Sequence, residues 1–212
     1  SHTAVDEAMD DIVSNWASLT DTTAVTAATQ FVRIRSGSGD DADDTTRHRA
    51  VNDHVDFVHY YNTEDVVELT DALRPHTDNE TTATEHLILF STPTSLRGAI
   101  DKCAGELFAL DSAEAVMDAG ISFVDCLAID EASMLDLPST LLASAYLKQD
   151  SQTLLIGDHR QMEPVQQHDW DNEDRRTIEE NIPFMSVLNF VRFLRGDLEE
   201  TDFTFVHSPE VG

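Results

Sequence analysis

The sequence predicts an α/β fold: a parallel sheet with helices on both faces, interrupted by a mostly helical insertion. Three observations carry this expectation. Short apolar runs at 86–91 (HLILFS), 123–129 (FVDCLAI) and 152–156 (QTLLI) alternate with stretches of helical period. The runs are nearly continuously apolar, as in strands covered on both sides. Each run is followed at once by polar residues, where open α/β sheets bind their ligands.

Taken in order, residues 3–19 place Val5, Ala8, Met9, Ile12, Val13, Trp16 and Leu19 at helical spacings, with an acidic opposite face. Trp16 reads as core. Residues 30–35 (QFVRIR) alternate like a strand, and 36–46 (SGSGDDADDTT) are a loop by composition. Residues 47–73 carry one or two helices, and 75–85 are polar loop. Thus 36–85 reads as the helical insertion between an opening segment, 1–35, and the body of the domain, 86–212. Within that body helices are expected at 95–110, 113–119, 138–147 and 185–195, and 166–182 is polar loop. There is no internal repeat.

Composition bounds the setting. The chain has 212 residues, 41% of them hydrophobic, with 41 acidic against 13 basic side chains and a net charge of -28. Lys102 and Lys148 are its only lysines. The acids are spread along the chain rather than gathered in a tail, which points to a protein adapted to molar salt, where self-repulsion is screened. In such salt counterion release contributes little, so the charge neither supports nor excludes nucleic acid. No apolar run approaches a membrane span and no signal peptide opens the chain; the expected setting is cytoplasmic. Cys103 and Cys126 form no C-x-x-C pair, and Cys126 is expected in the core. His48, His54 and His59 lack zinc-ligand spacing.

The strand ends hold the chemistry. They read Thr92-Pro93-Thr94-Ser95, Asp130-Glu131-Ala132-Ser133 and Gly157-Asp158-His159-Arg160-Gln161. An Asp at a strand end can hold Mg²⁺ through water beside a phosphate site, and an adjacent Glu can deprotonate the attacking water. Gly157 permits a tight turn next to a ligand, and Gln161 can hydrogen-bond a γ-phosphate or water. Either acidic end alone could be an ordinary cap or β-to-α turn. Together they suggest one shared site.

DEAS at 130–133 and GDHRQMEPV at 157–165 resemble motifs II and III of superfamily 1 helicases, above all the group of RNA-surveillance and flap-processing enzymes. SHTAVDEAM at 1–9 resembles motif Ia, LFSTPTS at 89–95 motif Ic, and SVLNFVRFL at 186–194 the helix that closes the first motor domain. The resemblance implies a RecA-like P-loop NTPase fold and an ATP-dependent motor on single-stranded DNA or RNA, with ATP and Mg²⁺ as cofactors. It implies that Asp130 coordinates Mg²⁺ through water and Glu131 is the catalytic base. Gly157, Asp158, Arg160 and Gln161 would lie at the nucleotide, with Asp158 and Gln161 sensing the γ-phosphate. Ser1, Thr3, Thr92, Pro93 and Thr94 would lie along the strand backbone, and Arg97 is the basic residue chosen for a strand phosphate.

The phosphate-binding G-x-x-x-x-G-K-[ST] is not in the chain: neither lysine follows such a pattern, and GSG at 37–39 runs into Asp40-Asp41. The expectation is a fragment of the first motor domain, inactive alone, whose partner is a second motor domain of the same polypeptide. The alternatives are a catalytically dead RecA-like binding or assembly module and, more remotely, a Mg²⁺ nuclease using Asp130, Glu131 and Asp158.

Overall fold

A computed structural model describes residues 2–19, 29–36, 54–77, 86–158 and 185–196. Ser1, His48, Arg160 and Gln161 are not among these, so the readings made for them lie outside the described residues.

The chain opens with helix α1, His2–Leu19. Its apolar stripe, Val5, Met9, Ile12, Val13 and Trp16, packs on Phe31, Val55 and Phe90. Trp16 meets Phe31 edge-on at 5.5 Å, as a core residue does. Strand β1, Thr29–Arg35, is the centre of a three-stranded parallel sheet. It pairs on one side with β2, Asp56–His59, in the register Val32↔Asp56 to Arg35↔His59. On the other side it pairs with β3, His86–Phe90, from Thr29↔His86 to Arg33↔Phe90. Helix α2, Thr63–Thr77, buries Leu69 and Leu73 on this sheet. Each such leucine contributes about 1.5–3 kcal/mol by leaving water.

Helix α3, Pro93–Phe108, starts where two signals coincide: Thr92 as an extended N-cap and Pro93 at the first helical position. It ends at Ala109, whose φ of 53° is left-handed. A short helix α4, Ala113–Asp118, is capped by Ser112. Then come β4, Val124–Ile129, helix α5, Leu137–Ser144, and β5, Leu147–Leu155. The strands β4 and β5 form a parallel pair joined through α5. Helix α6, Val187–Leu194, capped by Ser186, closes over the end of this pair through Ile129, Ala132, Val187 and Leu188.

One core unites the two sheets. Val32 and Ile34 of β1, Val58, Leu69, Leu73 and the buried face of α3 (Ala99, Ile100, Cys103, Ala104) join Phe123 and Tyr146 beside the second sheet. Burial pushes the Cys103 thiol up, so it stays protonated.

The α/β class and parallel pairing are as expected from sequence; several particulars differ. The strands form a set of three and a set of two rather than one hydrogen-bonded sheet. The stretch 36–85 supplies β2 to the main sheet besides helix α2. Strand β5 begins at Leu147, where the helix was expected to end, and runs through the polar Lys148-Gln149-Asp150. Finally, Cys126 is exposed rather than buried, because among the described residues one face of the β4–β5 pair is open to solvent.

Candidate functional site

The turn after β4 is built by its own backbone. Asp130 Oδ1 accepts a hydrogen bond from the Glu131 amide at 2.9 Å. Glu131 stands at φ 52°, a left-handed conformation that costs a non-glycine residue roughly 1–3 kcal/mol. The strain is offset by what the turn ties together. The Met134 amide donates to Glu131 O at 2.8 Å, and the Ala132 amide donates across to Ile156 O at 2.8 Å. The Ile156 amide in turn reaches back to Ile129 O at 2.8 Å. The ends of β4 and β5 are therefore stitched together beyond the last ladder pair, Ile129↔Leu155.

Gly157 suits that stitching. A Cβ placed there would lie 3.0 Å from the Ser133 amide nitrogen and 3.1 Å from that of Ala132, both backbone atoms. Glycine lets the β5 end settle against the 131–133 turn without a backbone shift of a few tenths of an ångström. Asp130, Glu131, Gly157 and Asp158 are thus brought to the carboxyl end of one strand pair. Asp130 and Asp158 are exposed and Glu131 is half-buried. Asp130 Oδ2 makes no hydrogen bond among the described residues, leaving one carboxylate oxygen for a ligand.

The other sequence-selected residues stand at the ends of the first sheet. The Thr92 side chain accepts from the Ser95 amide at 3.2 Å and donates to Ser95 Oγ at 2.9 Å. Its hydroxyl is occupied as a helix cap, so Thr92 is a structural residue as well as a candidate contact. Thr94 and Thr3 are exposed, and Pro93 is half-buried at the first position of α3. Arg97 is exposed on α3. Burial pushes the Tyr146 hydroxyl up, and the Arg97 guanidinium partly opposes this.

Sequence reading missed a buried cluster beside these threonines. Arg33, fully buried in β1, donates from Nε to Asp6 Oδ1 at 2.6 Å. Arg35, two residues on and therefore on the same face, donates to Asp6 Oδ2 at 3.2 Å and lies over the Phe57 ring at 5.1 Å. His2, at the start of α1, is held below the usual histidine range by burial and by Arg33, with Asp6 opposing. The signal was in the sequence: two arginines alternate inside an otherwise apolar strand, in a chain with few basic residues.

Among the described residues no group of three or more His, Cys, Asp or Glu side chains is placed to hold a metal ion directly. Also among the described residues, no helix is long and apolar enough to cross a membrane. Comparison with protein-family models, with curated proteins and with solved structures finds no match.

Proposed function

We propose that this chain is part of the first, RecA-like motor domain of a nucleic-acid-dependent ATPase of helicase type, adapted to molar salt. The observation that supports the reading best is the stitched end of β4–β5, where Asp130-Glu131 and Gly157-Asp158 meet on parallel strands. That is where a nucleotide would sit against an open α/β sheet.

Bound Mg²⁺ supplies neutralisation of the charge that develops on the transferring phosphoryl group. Asp130 would hold it through water, using the Oδ2 that its own turn leaves unused. Glu131, beside it on the same turn, would accept the proton of the attacking water. Asp158, with Gln161 and Arg160 after it, would respond to the γ-phosphate. Thr3, Pro93 and Thr94, with Ser1, Thr92 and Arg97, would meet a single strand of DNA or RNA at the end of the first sheet. The phosphates themselves need a P-loop lysine and backbone amides, which this sequence does not contain. The motor is completed by that segment and a second motor domain.

The test is ATP hydrolysis in molar KCl by the polypeptide that joins this chain to a P-loop and second motor domain, with and without oligonucleotide. Strand-stimulated turnover is expected. Glu131→Gln should lower kcat about 10²–10⁴-fold, the span of a general base, with KM for ATP little changed. Turnover undiminished in Glu131→Gln would sink the proposal, and absence of turnover in the parent would favour a binding module of the same fold.

A further inference from the structure

We infer that Arg33 is a positioning residue: it locks the first turn of α1 to the end of β3, and so sets the spacing between two sets of strand-facing hydroxyls. The inference rests on the strand-binding part of the proposed function. Its geometry stands by itself.

One guanidinium reaches Asp6, Ile34, Phe90 and His2. Nε holds Asp6 at 2.6 Å. Nη1 donates to Ile34 O at 2.6 Å and to Phe90 O at 3.2 Å. Nη2 donates to His2 O at 3.4 Å and faces His2 Nδ1 at 3.3 Å. Phe90 is the last residue of β3, two before the Thr92 cap of α3, and His2 is the residue before Thr3. Three segments distant in sequence therefore share a single planar fork. Thr3 on one and Thr94 on another are exposed.

The fork suits this task for two reasons. Arginine keeps its charge at any working pH and presents its donors in fixed directions, so the spacing it sets is stiff. A buried ion pair is screened far less than a surface one, so molar salt leaves it in force.

The experiment measures binding of fluorescein-labelled oligodeoxythymidine and oligouridine to the whole chain in molar KCl by anisotropy. It is run on wild type, Arg33→Lys, Thr3→Ala, Thr94→Ala and the two double variants that combine Arg33→Lys with each threonine change. Lysine keeps the charge and loses the fork. Arg33→Lys is expected to remain folded by circular dichroism and to bind about tenfold more weakly, the scale of one charge-assisted hydrogen bond. Thr3→Ala and Thr94→Ala should each weaken binding in the wild-type background and add nothing beside Arg33→Lys. A merely structural arginine would not produce that loss of additivity. Losses that multiply, or Arg33→Lys binding like wild type, would overturn the inference. If Arg33→Lys fails to fold, Asp6→Glu, which keeps the charge and moves the carboxylate, is read the same way. A wild-type chain that binds neither oligonucleotide overturns the strand reading itself. In that case hydrogen exchange in Arg33→Lys still decides the lock. Faster exchange in the first turn of α1 and at the Leu96 amide, which bonds Thr92 O, supports it, and unchanged exchange overturns it.

Discussion

At Gly157 the site depends on the absence of a single methyl group. The nearest atoms to a Cβ there are backbone nitrogens of the 131–133 turn, which cannot swing aside as a side chain could. Gly157→Ala should therefore cost about 1–3 kcal/mol, the range for overpacking, measured as a lowered midpoint of chemical unfolding. It should also displace Asp130 and Glu131, so under the proposed function ATP turnover falls with it. The two thiols give a second check. Cys126 is exposed and Cys103 is fully buried with its pKa raised. One thiol per native chain should react quickly with an aromatic disulfide reagent, and the second at least about tenfold more slowly until the chain unfolds. The acidic pair and the glycine were legible from sequence because a polar strand end is a local signal. Asp6 and Arg33 lie 27 residues apart, and nothing local joins them.

Among the elements, those with a strong local pattern were legible to within a few residues: α1, α3 and the apolar strands β3 and β4. Strand β2 was not, because Asp56–His59 is four residues long and acquires its identity by pairing with β1. Strand β5 was half-read, because its first residues are polar and exposed and carry no apolar signature. The join between α1 and β1 is where an element-level prediction belongs. Asp6→Asn removes a carboxylate shared by two buried arginines, and should cost about 3–5 kcal/mol, the scale for stranding a buried charge. Arg33→Met should cost less, since Asp6 keeps Arg35. The order of the two unfolding midpoints checks this.

For the molecule as a whole, charge sets the conditions under which these elements hold together. A net charge of -28 on 212 residues repels itself over distances that salt screens, about 10 Å at 0.1 M and about 3 Å at 1 M. The thermal midpoint should rise steadily from dilute buffer to molar KCl. The buried Asp6–Arg33 pair should contribute little to that rise, so Arg33→Met should show the same slope from a lower start. The conformation of Glu131 has a further consequence. Its left-handed backbone is one in which glycine would be at ease, so Glu131→Gly is a route to a sturdier chain. A population of variants bred only for heat resistance should drift toward glycine at 131. Under the proposed role of Glu131 as general base, one bred for turnover should hold glutamate there, and the frequency of that exchange would record which of the two traits selection has followed.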